Sequence, residues 1–384
     1  TIDLDTGTAI KAVTVTGTAD LTASLAADYA AGADLTATGS GTFDLDGAAL
    51  SANIDSVDAS AMTAGGLKVQ VNQADTTVDT KFVGGAGNDS LNVGNVVYNS
   101  TTLTADGGAG TDTLVVSDAT AVTSTTAKYL TNFETLSIAD DGAASAEDYD
   151  ASLISGITAI SVGAAANDTI TVSNLSAAQA AAVTVSGTQA NDLTLNVKDA
   201  AKVGQLDTIG VTIDDGASTT STITLADLSA AGVETVNITA NDNATFTALT
   251  GLTGFTKLDV GGAGNVSLTT GALALNSNSS IDASDVTGTV TINASAATTN
   301  GAAITGSSTK ANTLSGSDQN DAITGGAAAD TLDGNDGDDV FTGGGGADTF
   351  TFAGGDSSGA ASATVLQSIT DFNTGGSDII DWDV

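Results

Sequence analysis

Short segments that alternate aliphatic or β-branched residues with small polar ones recur along most of the chain. Six of them follow one another at intervals of about two dozen residues, at 135–138, 159–162, 182–185, 210–213, 235–238 and 257–260. A strand of this pattern has one apolar face, which stacked parallel coils bury in a continuous core. The pattern predicts an all-β, right-handed parallel β-solenoid with coils of about two dozen residues. An array of antiparallel sandwiches with similar strand spacing is the alternative.

A faster rhythm replaces this one near the C-terminal end. Between Gly316 and Thr351 the chain reads GSDQNDAIT, GGAAADTLD, GNDGDDVFT and GGGGADTFT, with Asp sixth and a large apolar residue eighth in every unit. One unit is a turn plus a strand, so the eighth residues should point inward and form a thin core with Leu314 before them. A flexible linker has no reason to keep apolar residues in phase. We therefore predict a short-coil parallel β-roll, whose inward residues are Ile323, Leu332, Phe341 and Phe350.

The first half of each nine-residue unit has the composition of a calcium-binding turn. Gly, Asn and Asp tolerate the positive φ of a tight bend, and the bend leaves carbonyl groups facing a common space. Calcium takes about six to eight oxygen ligands, whereas zinc prefers the His and Cys that the chain lacks. Calcium is thus the predicted cofactor. The predicted ligands in the roll are Asp318, Asp321, Asp330, Asp336, Asp339 and Asp348, with Gly325, Gly334 and Gly343 shaping the turns.

If successive units alternate sides, turns that share an ion lie two units apart. The predicted pairs are Asp321 with Asp339 and Asp330 with Asp348, and Asn312 extends one of these columns.

Turns of the same kind occur singly upstream. Those at 84–91 and 107–114 open with Gly84 and Gly107 and carry Asp89 and Asp112, which are 23 residues apart. One coil apart, these two carboxylates are predicted to share a calcium ion. Fainter copies carry Asp168 and Asp192 as weaker candidates, and a copy at 261–268 has Val266 in place of the Asp and is predicted to be a structural turn only.

The organisation along the chain is predicted as three segments. Residues 1–75 form a β-rich N-terminal segment, 76–300 the solenoid with its sporadic calcium turns, and 301–384 the β-roll with a closing segment. Two Ala-rich stretches, 175–183 and 145–152, are predicted to be single helical turns with Asn174 and Ser145 as caps.

Charge and composition limit the partners. The 384 residues include 46 acidic and 8 basic side chains, for a net charge of -38, which repels nucleic acids and anionic membrane surfaces. Divalent cations should therefore promote compaction. The hydrophobic content of 41% is too high for a disordered chain, but no apolar run reaches the roughly 20 residues of a membrane-spanning helix. The absence of Pro fits an uninterrupted parallel stack.

Enzymatic function lacks residues to perform it. Without His or Cys the chain has neither a Ser-His-Asp nor a Cys-His arrangement. Paired carboxylates are open in principle, but the acids follow the turns, and the single Trp382 offers no aromatic platform for sugars. We expect no catalytic activity.

The four nonapeptides resemble the calcium-binding repeats of RTX (repeats-in-toxin) proteins. The segments 369–372 and 376–381 are similar to the part that closes the roll in RTX proteins exported by type I secretion. This resemblance implies Asp371, Asp378 and Asp381 as further ligands and a C-terminal export signal.

The body of the chain is similar to RTX-type surface-layer proteins of Gram-negative bacteria, in composition and in strands such as 133–136 and 233–236. That resemblance implies a secreted, calcium-dependent structural protein at the bacterial cell surface, which self-assembles into a layer or filament. Cell-surface polysaccharide is a candidate partner. The alternatives are an adhesin or interaction module of a type I-secreted RTX protein, and the export and folding domain of a larger secreted enzyme.

Overall fold

The structure is a computed structural model that describes residues 10–25, 29–71, 80–98, 104–140, 142–200, 202, 206–217, 221–353 and 367–383. The chain divides into two compact units, Thr1–Gly163 and Ala164–Val384. Within the described residues both units consist of short parallel strands with very little helix.

In Thr1–Gly163 one sheet has the strand order β1-β3-β5-β7-β9-β11, and a second runs β2-β4-β6-β8-β10-β12-β14. As far as residue 138 the chain thus visits the two sheets alternately, one coil for each pair of strands, whereas the strand at 146–150 belongs to neither of them. The elements of this unit, in chain order, are β1 (Ile10–Gly17), β2 (Leu21–Thr22), β3 (Tyr29–Gly39), β4 (Phe43–Asp44), β5 (Ile54–Met62), β6 (Leu67–Gln70), β7 (Lys81–Val83), β8 (Ser90–Gly94), β9 (Ala105–Asp106), β10 (Thr113–Val116), two 3₁₀ turns (Ala119–Ala121 and Ala127–Tyr129), β11 (Leu130–Thr131), β12 (Thr135–Ile138), β13 (Ala146–Asp150) and β14 (Ala159–Val162).

In Ala164–Val384 the even-numbered strands β16 to β32 form one parallel series and the odd-numbered strands β15 to β33 another. The elements of this unit are β15 (Thr169–Leu175), α1 (Ala177–Ala180), β16 (Val183–Val185), β17 (Gln189–Val197), β18 (Thr208–Ile213), β19 (Thr222–Ser229), β20 (Thr235–Ala240), β21 (Asn243–Phe246), β22 (Lys257–Gly262), β23 (Val266–Thr269), β24 (Ser280–Val286), β25 (Val290–Asn293), β26 (Ala303–Thr305), β27 (Asn312–Ser315), β28 (Ala322–Gly326), β29 (Thr331–Asp333), β30 (Val340–Gly344), β31 (Thr349–Ala353), β32 (Ser368–Ile369) and β33 (Ile379–Asp383).

Like residues stack on like residues from coil to coil. Leu114 lies in register with Leu136, which lies in register with Ile160, and all three side chains are buried. The Thr and Ser residues between them face outward, as period-two alternation requires. The six strand segments predicted from the sequence are β12, β14, β16, β18, β20 and β22. The predicted parallel β-solenoid is therefore confirmed, and the antiparallel sandwich is wrong, because every described strand pairing is parallel.

The roll keeps the same plan with shorter coils. Ile323 lies in register with Phe341, and Leu332 with Phe350, so the units alternate between the two series of strands as predicted. The eighth residues of the repeats are at most 1% exposed. The Phe341 ring meets those of Phe350 and Phe352 edge to face, at centroid distances of 5.9 and 5.7 Å.

Both predicted helical turns need correction. Residues 145–152 contain the strand β13, because Tyr149 has a buried place in the stack that outweighs the helix propensity of the alanines. The segment 175–183 does contain a helical turn, α1, but its cap is Ser176, whose hydroxyl accepts the N–H of Gln179. Asn174, the predicted cap, has a left-handed φ of 56° instead.

The predicted segment boundary at residues 75 and 76 lies in 72–79, outside the described residues. On either side of it β5 pairs with β7 and β6 with β8. Across the boundary at 300 and 301, β24 pairs with β26. The division into three segments stays a prediction.

Candidate calcium sites

The last two repeat Asp residues of the roll each contact the Asp two units earlier. Asp339 Oδ1 accepts the N–H of Asp321 at 2.8 Å, and Asp348 Oδ1 accepts the N–H of Asp330 at 2.9 Å. These are the two pairs predicted from the nine-residue spacing. The turns bring them together because the strands that follow are paired, β28 with β30 and β29 with β31. In both pairs the eighth residues of the repeats lie opposite each other.

Amide side chains continue both columns. Asn312 donates its backbone N–H and its Nδ2 to Asp330 Oδ1, at 2.7 and 2.8 Å, so it extends the column of Asp330 and Asp348. Gln367 Nε2 donates to Asp339 Oδ2 at 3.1 Å and ends the other column. Gln367 is not among the residues predicted from the sequence. Only the strand pairing identifies it: Ser368 of β32 pairs with Val340, so the preceding residue, Gln367, lies opposite Asp339.

The repeat carboxylates are withdrawn from solvent, yet some of their oxygens have nothing to bind. Asp321, Asp330, Asp339 and Asp348 are at most 3% exposed, and the Oδ2 atoms of Asp330 and Asp348 have no hydrogen-bond partner. A buried anionic oxygen left in this state is costly unless a cation or a proton neutralises it. The donor set, carboxylate plus turn carbonyls, is the one that calcium prefers.

The predicted glycines keep the space beside these oxygens open. A Cβ added at Gly325, Gly334 or Gly343 would collide with Oδ2 of the Asp five residues later. Any side chain there would fill the cradle in front of the carboxylate. The residues present therefore fit a bound calcium ion.

Burial also shifts the titration of these acids. It raises the pKa of Asp321 to about 6, with a smaller contribution from the negative charge of Asp318. Burial likewise raises the pKa of Asp330 and of Asp348, and the neighbouring carboxylates Asp378 and Asp371 add to the effect at Asp348. Each shift reports a site that disfavours an uncompensated negative charge.

The other ligands predicted in and after the roll have varied positions. Asp318 is exposed at the turn and Asp336 is half-buried. Asp378 Oδ1 accepts the N–H of Asp348 at 3.1 Å and so caps its column, while Asp371 accepts the N–H groups of Gly343 and Gly344 at 3.0 and 2.7 Å.

Asp381 does not join this group. Asp381 lies in β33, where it is in register with Thr351 of β31, and it is exposed because alternation along the strand directs its side chain away from the core. The ligand role implied for it by resemblance stays a prediction.

In Thr1–Gly163 the predicted pair Asp89 and Asp112 is adjacent. Asp112 Oδ1 accepts the N–H of Asp89 at 2.7 Å, and the two residues are 0% and 1% exposed, Asp112 being the more buried. The bare faces of Gly84 and Gly107 adjoin the pair: a Cβ at Gly84 would lie 2.7 Å from Asp89 Oδ2, and one at Gly107 2.8 Å from the Cβ of Asp112. Burial raises the pKa of Asp89, and raises that of Asp112 to about 7 with help from nearby carboxylates.

The fainter turns do not form a shared site. Ile170 is in register with Leu193, so Asp192 falls one position away from Asp168 and points to the opposite face; Asp168 is buried and Asp192 exposed. That pairing is therefore wrong. Val266 is in register with Val290, and Val290 with Asn312. The column that contains Asn312 and Asp330 therefore continues upstream with two apolar residues. This agrees with a structural turn at 261–268.

One acidic group was not predicted. Carboxylate oxygens of Asp214, Asp215 and Asp242 lie within 4.8 Å of one another, and Asp242 Oδ2 accepts the N–H of Asp215 at 2.8 Å. No Gly-rich frame marks it in the sequence, since the three residues come from two separate turns.

Parallel coils with carboxylates stacked in their turns define a calcium-binding β-solenoid that ends in a β-roll. The model of the RTX calcium-binding nonapeptide repeat matches this end in four copies, over residues 308–341, 315–350 and 324–357. The chain thus carries RTX repeats and binds calcium, and RTX repeat proteins are typically secreted. No curated protein sequence and no solved structure matches the chain. Among the described helices none is long and apolar enough to cross a membrane.

Proposed function

We propose that the protein is a secreted, calcium-dependent structural subunit that self-assembles into a bacterial surface layer or an extracellular filament. The observation that carries this proposal is an apolar surface on β33, the strand that pairs with β31. Ile379, Ile380 and Trp382 are 58%, 40% and 69% exposed on it. Exposed apolar side chains grouped on one strand mark a surface for contact with another chain. The occupant we propose is a second copy of the protein.

Calcium would control whether copies meet. At a net charge of -38, two copies repel each other at low ionic strength. Lysines offer little relief: the ion pairs found among the described residues are Lys68 with Asp44, Lys202 with Asp199 and Lys257 with Asp259, all at the surface. Divalent cations in the turns lower the charge of each copy and so favour contact.

The same dependence suits export. In a calcium-poor cytosol the Asp-rich turns repel one another and the chain stays unfolded. Outside the cell, calcium binds the folded turns, and its binding free energy adds to the free energy of folding. This supports export by type I secretion and localisation at the bacterial cell surface.

The role proposed is structural and not catalytic. The chain has no His and no Cys. The buried carboxylates of the turns accept backbone N–H groups from neighbouring coils, for example Asp339 from Asp321 and Asp112 from Asp89, which is the work of a scaffold.

Electron microscopy of the purified chain tests the proposal. In millimolar calcium we expect ordered sheets or fibres that dissolve when EGTA is added. Replacing Ile379 and Trp382 by Ser should abolish them and leave the β spectrum unchanged. Leu206→Ser is the matched control, because Leu206 is 85% exposed but lies away from β33. A wild-type chain that stays monomeric in calcium at high concentration would contradict self-assembly.

An adhesin or interaction module is the second candidate. Outward ladders of hydroxyl side chains favour it, such as Thr212 stacked on Thr239 and Ser267 on Thr291. Flat polar faces of this kind suit a polysaccharide of the cell surface or matrix. This function predicts a soluble monomer in calcium that binds a glycan saturably, and glycan binding measured by calorimetry would distinguish it from self-assembly.

A further inference from the structure

A third acid stands above the predicted pair in Thr1–Gly163. Thr113 is in register with Ser90 and with Thr135, so the residues that precede them, Asp89, Asp112 and Glu134, are stacked on three successive coils. Glu134 Oε2 accepts the N–H of Asp112 at 2.8 Å, just as Asp112 Oδ1 accepts that of Asp89 at 2.7 Å. Glu134 therefore takes the column position of an Asp, although its coil has no Gly-rich turn.

Asp112 differs from Asp89 in one hydrogen bond. Both oxygens of Asp89 accept backbone N–H groups, Oδ1 from Leu67 at 2.6 Å and Oδ2 from Gly85 at 2.7 Å. The amide that corresponds to Gly85 one coil later belongs to Gly108, but it donates to Asp106 Oδ1 at 3.1 Å. Asp112 Oδ2 is consequently left without a hydrogen-bond partner, in a residue that is 0% exposed.

The surroundings of Asp112 are negatively charged. The carboxylates of Asp89, Glu134 and Asp106 all act on it electrostatically, and no lysine is among the described groups that do so. A carboxylate that is fully buried, lacks a donor for one oxygen and has three negative neighbours needs a positive partner.

A backbone carbonyl faces the same space. A Cβ added at Gly107 would collide with the carbonyl oxygen of Asn132 and would lie 2.8 Å from the Cβ of Asp112. Asn132 has a left-handed φ of 56°, and its side chain is tied back to Asp106 Oδ1 at 2.7 Å. Its carbonyl and the Asp112 side chain thus meet on the bare face of Gly107.

We propose that Asp112, Glu134 and the carbonyl of Asn132 hold a divalent cation of the calcium type, at a site outside the nonapeptide repeats. All three residues offer hard oxygen atoms as ligands. Water molecules would supply the rest of the roughly six to eight oxygen ligands that calcium takes. The site joins consecutive long coils, whereas those of the roll join short ones. It binds its ion whether or not the protein assembles.

The same arrangement of a Glu one coil after an Asp occurs a second time, in Ala164–Val384. Glu234 Oε2 accepts the N–H of Asp207 at 2.8 Å, and Asp207 Oδ2 is again buried without a hydrogen-bond partner. An Asp followed one coil later by a Glu is thus associated twice with an unsatisfied carboxylate oxygen.

The experiment counts bound ions on the full-length chain. Glu134→Gln keeps an oxygen for the N–H of Asp112 but removes the charge. At saturating calcium, equilibrium dialysis with metal analysis should find one ion fewer per chain than in the wild type. Glu147→Gln is the matched control, because Glu147 Oε2 also accepts a backbone N–H, that of Ala119 at 2.8 Å, but lies outside the column. It should bind as many ions as the wild type.

Two outcomes would overturn the proposal: an unchanged ion count in Glu134→Gln, or an equal loss in Glu147→Gln. If Glu134→Gln does not fold, wild-type crystals grown in calcium decide the question by anomalous diffraction. A peak between Asp112 and Glu134 supports the site. Peaks at the nonapeptide turns with none at Asp112 would refute it.

Discussion

The two carboxylate oxygens of a turn aspartate have different roles. One oxygen accepts a backbone N–H from the preceding coil of its column, as Asp348 Oδ1 does from Asp330 at 2.9 Å. The other is buried beside a glycine, where it favours a cation. Asp suits both roles because its short side chain reaches the neighbouring coil without leaving the turn. Asparagine at position 312 lacks the charge: it donates its own N–H to Asp330 Oδ1, and its Oδ1 accepts the N–H of Ser307 within the same turn.

Gly343→Ala should weaken calcium binding at the roll. Its Cβ would collide with Asp348 Oδ2 and with the ring of Phe350, so we expect a loss of about 1–3 kcal/mol of calcium-dependent stability from overpacking. Gly345→Ala, in the same repeat, is the control, because its Cβ would meet Ala327 at an ordinary 3.5 Å. Thermal unfolding at several calcium concentrations measures both. Equal effects of the two substitutions would contradict a cradle at Gly343.

The raised pKa values predict an inverted pH dependence in the absence of calcium. The folded pKa values of Asp112 and Asp321, about 7 and about 6, lie above the ordinary Asp value of about 3.9. Stability from these groups is therefore full below about pH 4 and is lost as the pH rises through 6 to 7. In EGTA, circular dichroism should show a β signal that is retained at about pH 4, where these groups are protonated, and is lost as the pH rises over this range.

Asp112→Asn separates this effect from general charge repulsion. The variant should have a flatter profile between pH 4 and 7, since the amide does not titrate. A profile as steep as that of the wild type would assign the pH dependence to the net charge alone. In calcium, both proteins should instead gain stability as the pH rises, because calcium binds the deprotonated carboxylates.

The strands of the roll are stabilised by a core that is one residue thick. The strands β28, β29 and β30 each bury a single large side chain, and β31 buries Phe350 and Phe352, whose rings both contact that of Phe341 edge to face. Phe372 and Trp382 continue this row at 6.3 Å from Phe350 and 5.3 Å from Phe352. So thin a core leaves the turns, and hence calcium, a large share of the stability.

Phe341→Ala should destabilise the roll by about 3–5 kcal/mol, because it removes a fully buried ring and both of its aromatic contacts. Val340→Ala is the control: Val340 is the preceding residue, 43% exposed on the outer face, and should cost less than about 1 kcal/mol. Fluorescence of the single Trp382 reports on this end during urea unfolding in calcium. A small effect of Phe341→Ala would show that the core does not hold the roll.

In the function we propose, calcium acts on folding across the chain through charge and through specific turns. A net charge of -38 with 8 basic side chains opposes compaction, and the turn carboxylates concentrate that charge inside the columns. A ligand that binds only the folded state stabilises it by mass action. Calcium is thus a folding and assembly factor for this protein and not a catalytic cofactor in the function we propose.

Removal of calcium should therefore unfold at least the roll. Circular dichroism in EGTA is expected to show a loss of β signal that returns on addition of calcium, and not of magnesium at equal concentration, because magnesium dehydrates reluctantly and demands a stricter geometry. Sodium chloride at the same ionic strength is the control for screening. An unchanged β spectrum in EGTA would contradict a calcium-dependent fold.

Local pattern sufficed for much of this architecture. Two-residue alternation predicted strands such as β12 and β20, and the nine-residue phase predicted the inward Phe341 and the Asp330–Asp348 pair, because turn, strand and repeat length are all set within one unit. Composition alone pointed to calcium, through abundant Asp and the lack of His and Cys.

The positions that depend on stacking between coils of unequal length were decided only by the tertiary structure. Asp168 and Asp192 look alike in sequence, but a one-residue offset in register sends them to opposite faces. Gln367 and Glu134 lack any turn motif, yet register places them in the acidic columns. The reason is that the packing of the apolar strand residues fixes which turns lie above one another. The number of residues in each turn between strands varies, and no periodic pattern in the sequence predicts it.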